Sequence, residues 1–178
     1  MQIKKDETNH PEELVDLVNE KDEVIGQITR KNLYKTPDAI HRSVRVLIYD
    51  KDGQILFQQR SFKKQIMPGY WTLSAAGHVP SGVNPKIAAE KELKEELGFP
   101  TPIDFFAKSF DSHEGRRFFA YIFTGKYSGE TLKPNKDEVE QVKFLNQKQI
   151  DKLVSSGEMF FNVALKNAQD FWNKAHRF

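Results

Sequence analysis

The apolar and polar positions of this 178-residue chain change period several times, and the changes divide it into strands and helices. Residues 13–18 and 24–29 are short apolar-rich runs parted by NEKDE, which predicts a hairpin with Gly26 at a bulge. RSVRVLIYD (42–50) and QILFQQR (54–60) flank Asp52 and Gly53 and predict a second hairpin, because Asp-Gly suits the tight turn that matches strand twist. YWTLSAAG (70–77) predicts one further strand, and residues 105–110, 118–123 and 142–145 predict three more. Residues 150–154 and 160–172 predict two closing helices, the second with Phe161, Leu165, Ala168 and Trp172 at core spacing. With a central helix, this pattern implies an α+β fold, an α/β/α sandwich on a mixed β-sheet.

The central helix is bounded on both sides. Asn84 is a good N-cap, Pro85 suits the first helical position, and Gly98 suits a left-handed exit. Ala89, Leu93 and Leu97, with Ala88 alongside, supply a core-facing stripe. Glu92, Glu95 and Glu96 fall mostly beside it, at spacings that make them neighbours on the helix surface. Crowded carboxylates repel, so they either spread in water or are neutralised by a bound cation. With Lys91 and Lys94 between them, an ordinary solvated face is the competing interpretation.

Composition narrows the setting. The length suits one well-buried domain. The 27 basic and 25 acidic residues nearly cancel, so the net charge of +2 makes no case for nucleic-acid binding by bulk electrostatics. No cysteine is present, which removes disulfides, thiolate metal sites and cysteine nucleophiles together. The polar start MQIKKDETNHPEE and the lack of a long apolar run indicate neither a signal peptide nor a membrane span, and a cytoplasmic protein is expected. Residues 1–12 are expected to be a flexible lead and 13–178 one domain: an N-terminal hairpin extension over 13–40, a central motif over 77–99, and C-terminal helices over 147–178. The aromatic-rich last helix offers a face for a second copy, so a homodimer is the expected assembly if there is one.

The stretch GHVPSGVNPKIAAEKELKEELGF (77–99) resembles the Nudix box, a motif of the form G, five residues, E, seven residues, REUxEExGU, with U apolar. Gly77, Glu92, Leu93, Glu95, Glu96, Gly98 and Phe99 fall on its positions, whereas Val83 replaces its first glutamate and Lys91 its arginine. The resemblance implies the same layered sandwich. It also implies a loop, helix and loop that holds Mg²⁺, or Mn²⁺ in its place, against a small-molecule diphosphate, with Glu92, Glu95 and Glu96 as ligands beside a carbonyl near Gly77. Lys91 keeps a charge but loses the planar fork of arginine, and Val83 cannot join a salt bridge. The ligand trio survives both changes, while full catalytic rate is put in question.

Over roughly residues 13–153 the chain looks like the Nudix branch that contains isopentenyl diphosphate isomerase and its hydrolase-like relatives. The isomerase uses a cysteine and a glutamate on opposite sides of an allylic diphosphate. Ala76 stands at the cysteine's place, Arg116 and Phe118 align to the strand glutamates, and Lys35 aligns to a metal-site histidine, leaving His41 and His78. The hydrolase-like relatives therefore fit better. In that branch Arg60 and Lys64 match cations that hold a diphosphate; surface decoration is the alternative for both. His78 could meet a phosphate or a metal, with a structural role equally open. His41 is read as structural and His113 as a loop residue. Glu138 is the first choice for an additional metal ligand or base on the loop before the last strand. Trp71, Phe62, Tyr70 and Phe118 could stack on a nucleobase, although aromatics at such positions more often belong to a core. The expected activity is Mg²⁺-dependent hydrolysis of a diphosphate linkage in a nucleoside diphosphate derivative or related ester. The alternatives are an isomerase-like protein without isomerase activity and a catalytically weak nucleotide or metabolite binder.

Overall fold

A computed structural model of the chain describes residues 10–64, 67–113 and 115–175. The lead expected over residues 1–12 lies outside the described residues as far as residue 9, as does the side chain of His113. Strands β1 (Leu14–Val18) and β2 (Val24–Thr29) form the N-terminal hairpin. Its register slips where Leu17 pairs Gly26 and Val18 pairs Val24, so Ile25 is the extra residue beside the expected glycine. Helix α1 (Arg30–Leu33) follows. It is too short to carry a period, and the Thr29 side chain caps it by accepting from the Asn32 amide.

The large sheet contains β3 (Ile40–Tyr49), β4 (Ile55–Arg60), β5 (Trp71–Thr72), β6 (Ala75–His78), β7 (Asp104–His113), β8 (Arg116–Lys126) and β9 (Val139–Leu145). β3 and β8 run parallel and the other pairings are antiparallel, so the sheet is mixed. The second hairpin closes at the expected turn, where Asp50 receives the amides of Asp52 and Gln54 at 2.9 Å.

β3 and β4 pair directly only where Tyr49 meets Ile55. Beyond that point residues 71–78 fill the opening, β5 against β4 and β6 against β3. The single strand expected over 70–77 is therefore broken at Leu73 and Ser74. The fully buried Ser74 hydroxyl repairs the split: it accepts from the Ile48 amide at 2.8 Å and donates to the Leu56 carbonyl at 2.6 Å.

Side chains alternate across the sheet and build a core on each face. Val44, Val46 and Ile48 pack with Ala88, Ala89, Leu93 and Leu97 of helix α2 (Pro85–Leu97). Leu47, Phe57 and Trp71 pack with Ala164, Ala168 and Phe171 of helix α4 (Asn162–Ala175), next to helix α3 (Gln147–Ser155). The buried stripe of α4 thus differs from the expected one. Small Ala164 and Ala168 allow close approach, Asn167 is drawn inward to accept from Arg45 Nη1 at 3.1 Å, and Phe161, Leu165 and Trp172 flank the stripe half-buried. Trp172 is spent on its own chain, donating to the Gly53 carbonyl at 2.8 Å. No helix among the described residues is long and apolar enough to cross a membrane.

The hairpin β1–β2 fixes the loop ahead of α2. Asp16 accepts from the Ser81 hydroxyl at 2.6 Å and the Gly82 amide at 3.3 Å, and the Ser81 amide donates to the Leu14 carbonyl at 2.8 Å. Asp22 fastens the hairpin to the sheet through Arg42 at 2.7 Å and through Lys108 and Tyr121.

Removing the Ser74 hydroxyl strands a buried amide and a buried carbonyl. Ser74→Ala is expected to cost about 1–3 kcal/mol in urea unfolding, and Ser74→Thr, which keeps the hydroxyl, less than Ser74→Val.

Candidate active site

Helix α2 begins and ends as its sequence requires. The Asn84 side chain accepts from the Lys86 amide at 2.8 Å, Pro85 opens the first turn, and Gly98 closes the helix at φ 72°. Its inner stripe pins the rotation. Glu92 and Glu96, one turn apart, come to lie half-buried against β6, whereas Lys91 and Glu95 are exposed and pair with each other at 3.7 Å. Among the described residues no three histidine, aspartate or glutamate side chains gather into a ready-made metal cage. The expected trio is therefore two carboxylates set inward and a third on the solvent side, because Glu95 sits about 100° around the helix from Glu96.

Glu92 lies directly over Gly77: a Cβ built there would stand 2.1 Å from Glu92 Oε1 and 2.7 Å from its Cγ. Glu96 Oε2 accepts from Gln58 Nε2 at 2.7 Å and from the Ala76 amide at 3.2 Å. Burial, and then the charge of Glu95, pushes Glu92 up to about 7. Burial, and then the charge of Glu92, pushes Glu96 up to about 8, against the pull of its two hydrogen bonds. Carboxylates that retain protons near neutrality lack a counter-charge. A hard divalent cation supplies one through oxygen ligands, so the donor set fits Mg²⁺ or Mn²⁺. Val83 does not reach this cradle; it packs half-buried on the α2 core, continuing the apolar layer where the box has a glutamate.

Cations stand on one side. Arg60 is half-buried at the end of β4, donates to the Met67 carbonyl at 3.3 Å, and lies within electrostatic reach of both Glu96 and Glu138. Lys64 pairs with Glu138 at 2.5 Å, and the Ser61 amide donates to the Glu138 carbonyl at 2.9 Å. The 61–64 loop and Glu138 thus form one unit beside Glu96.

On the other side His78 turns away from the glutamates. Its Nε2 meets the Tyr34 hydroxyl at 3.0 Å, and its ring stacks on His41 at 5.1 Å. Burial holds His41 down at about 4 and His78 well below its ordinary value, with the charges of Arg116 and Arg30 adding to both. Both rings are neutral at pH 7.

Gln58, Arg30 and Tyr34 are site residues the sequence did not single out. A glutamine inside an apolar strand was a usable signal for Gln58; Arg30 opens the unforeseen α1 and Tyr34 is its C-cap. The aromatic platform does not assemble. Trp71 is buried, stacked on Phe160 and donating to Glu158 at 2.8 Å, Phe118 packs on His41, Tyr70 on Phe161, and only Phe62 is open, at 65% exposed.

Two outcomes test this geometry. Gly77→Ala should displace the Glu92 carboxyl without unfolding the chain and weaken divalent-ion binding by roughly 10–100-fold, read by calorimetric titration with Mn²⁺. His41 titrates lower folded than unfolded, so its contribution to stability is whole above pH 6.5 and lost as pH falls toward 4. The stability of the wild type relative to His41→Phe should therefore drop by about 3 kcal/mol between pH 7 and pH 4 in urea melts.

A family model described as the NUDIX domain matches residues 39–161. An uncharacterized Nudix hydrolase of Listeria monocytogenes is 35% identical over 162 residues, spanning 86% of this chain and 95% of that protein. An isopentenyl-diphosphate Delta-isomerase of Photorhabdus laumondii is 27% identical over 161 residues, spanning 87% and 89%. A crystal structure from Deinococcus radiodurans superposes with a TM-score of 0.74 at 24% identity, over 90% of this chain and 99% of that one, and so shares the fold. The glutamate helix over Gly77, the mixed sheet behind it and these matches together place the chain in the Nudix family, as a pyrophosphohydrolase.

Proposed function

We propose that this Nudix hydrolase cleaves the diphosphate linkage of a nucleoside diphosphate derivative or a related diphosphate ester, and that it depends on Mg²⁺, with Mn²⁺ as a substitute. The observation that carries the reading is the placement of Glu92 and Glu96 over Gly77 and Ala76, with Arg60 in electrostatic reach of Glu96. Glu92 and Glu96, joined by Glu95 after a side-chain rotation and by Glu138, would hold the ion; when bound it shields the anhydride charge and acidifies a water.

The chain's own residues do the rest. Arg60 and Lys64 draw in and orient the diphosphate, and Arg60 suits this best because its guanidinium presents a planar fork to phosphate oxygens. Gln58 keeps the Glu96 carboxylate aimed by its 2.7 Å hydrogen bond. A carboxylate of the group accepts the proton of the attacking water. Lys64 and Glu138, paired at 2.5 Å, exchange that contact for substrate and ion.

Isomerase chemistry is not supported by these side chains. Ala76 carries no thiol, and Arg116 and Phe118 carry no carboxyl. The methyl of Ala76 and the neutral His41–His78 stack offer no acid to one side of an allylic double bond.

A panel of nucleoside diphosphate derivatives and other diphosphate esters, assayed for phosphate release with Mg²⁺, with Mn²⁺ and with EDTA, tests the proposal. Hydrolysis that requires the ion and falls by roughly 10²–10⁴-fold in Glu96→Gln is the expected result. Binding without turnover across the panel would make the chain a binding domain, and interconversion of five-carbon diphosphates would reinstate the isomerase.

A further inference from the structure

Residues 79–84 join β6 to α2, and the N-terminal hairpin grips the middle of this loop. Val15 bridges Pro80, the Ser81 amide donates to the Leu14 carbonyl at 2.8 Å, and the Ser81 hydroxyl accepts from Gln27 Nε2 at 2.5 Å. At the centre is Asp16 of β1, only 7% exposed. Its Oδ1 accepts from the Ser81 hydroxyl at 2.6 Å, and its Oδ2 accepts from the Gly82 amide at 3.3 Å and stands 3.6 Å from Arg42 Nη1. Burying a carboxylate costs solvation, and these donors offset it only while the loop stays in place.

Helix α2 is held separately at its two ends. At the C-terminal end the Asn135 amide donates to the Glu96 carbonyl at 2.9 Å and the Lys133 amide to the Leu97 carbonyl at 2.8 Å. Nearer the N-terminal end the helix meets the sheet through Ala88 and Ala89, whose methyl groups raise little ridge against a slide along the axis. The loop clamped by Asp16 supplies that resistance, and it runs on from Gly77, over which Glu92 lies. Arg60 and Lys64 are set elsewhere, by β4 and by Glu138. Asp22 fastens the turn of the same hairpin, but its side chain engages Arg42, Lys108 and Tyr121 on the large sheet rather than the loop.

We propose that Asp16 is a positioning residue: through Ser81 and Gly82 it fixes the approach of Glu92 to Gly77, and with it the divalent-ion affinity of the glutamate helix and the rate of the reaction. The effect on rate rests on the hydrolase reading, whereas the effect on ion affinity does not. Loss of the clamp weakens the ion and lowers kcat, while KM for the diphosphate, held by Arg60 and Lys64, changes little.

The full-length wild type, Asp16→Ala, Ser81→Ala, Ser81→Thr and Asp22→Asn are compared by calorimetric titration with Mn²⁺, by kcat and KM at saturating Mn²⁺, and by urea melts. Mn²⁺ affinity is expected to fall by about tenfold in Asp16→Ala, less in Ser81→Ala, and to return toward wild type in Ser81→Thr, which keeps the hydroxyl. Asp22→Asn is expected to lose stability yet bind Mn²⁺ as the wild type does. Unchanged Mn²⁺ affinity in folded Asp16→Ala and Ser81→Ala overturns the proposal, and Ser81→Ala decides alone if Asp16→Ala does not fold. An equal loss of affinity in Asp22→Asn also overturns it, because the effect would then follow stability and not the loop. A wild type that binds Mn²⁺ but hydrolyses no diphosphate ends the hydrolase reading and leaves the affinity result to decide this one; a wild type that binds no Mn²⁺ overturns both.

Discussion

Everything at the candidate site follows from how closely α2 approaches β6. Ala88 and Ala89 present almost no side chain to the sheet, and Gly77 presents none to Glu92, so helix and strand meet at a distance that strips water from the carboxylates between them. Desolvation is the first cause of the raised proton affinity of both Glu92 and Glu96, ahead of their neighbours' charges. A methyl group at residue 77 would reopen the gap. The apolar packing of one helix face and the electrostatic demand on the next are thus two results of the same contact, and the strained charge is held in place by core packing that has no chemical role of its own.

The split between β3 and β4 serves the same end. Were they paired along their length, no edge would be left for β6, and Ala76 and Gly77 could not lie beneath the helix. The opening costs backbone hydrogen bonds, and Ser74 restores two of them from a single hydroxyl. The hairpin β1–β2 then ties the loop at residues 80–82 down through Asp16, so that the segment entering α2 has little freedom. Strand, loop and helix reach their positions through different interactions, each with its own polar anchor.

The parts legible in the sequence were those whose causes are local. The α2 boundaries are written in Asn84, Pro85 and Gly98, and the second hairpin in Asp52 and Gly53, because capping and turn chemistry act within a few residues. The positions of the glutamates were half legible. Spacing makes Glu92, Glu95 and Glu96 neighbours, but the Ala89, Leu93 and Leu97 stripe decides which two turn inward. What could not be read depends on distant partners. Ser74 is an unremarked serine until Ile48 and Leu56 flank it, and Tyr34 gains its role only by meeting His78, 44 residues on. The α4 stripe was misplaced because an asparagine, Asn167, is drawn inward by a buried arginine, which no hydrophobic pattern announces.

The two sides of β6 differ in their electrostatics, although the chain as a whole is near neutral. Toward α2, carboxylates are short of positive charge. Toward α1 and β8, burial and the charges of Arg30 and Arg116 lower the proton affinity of His41 and His78. Arg30 reaches both populations, lowering Glu92's proton affinity as it lowers that of the histidines, so the two sides are coupled through one side chain. A cation arriving at the glutamates would relieve the cost of burying their charge.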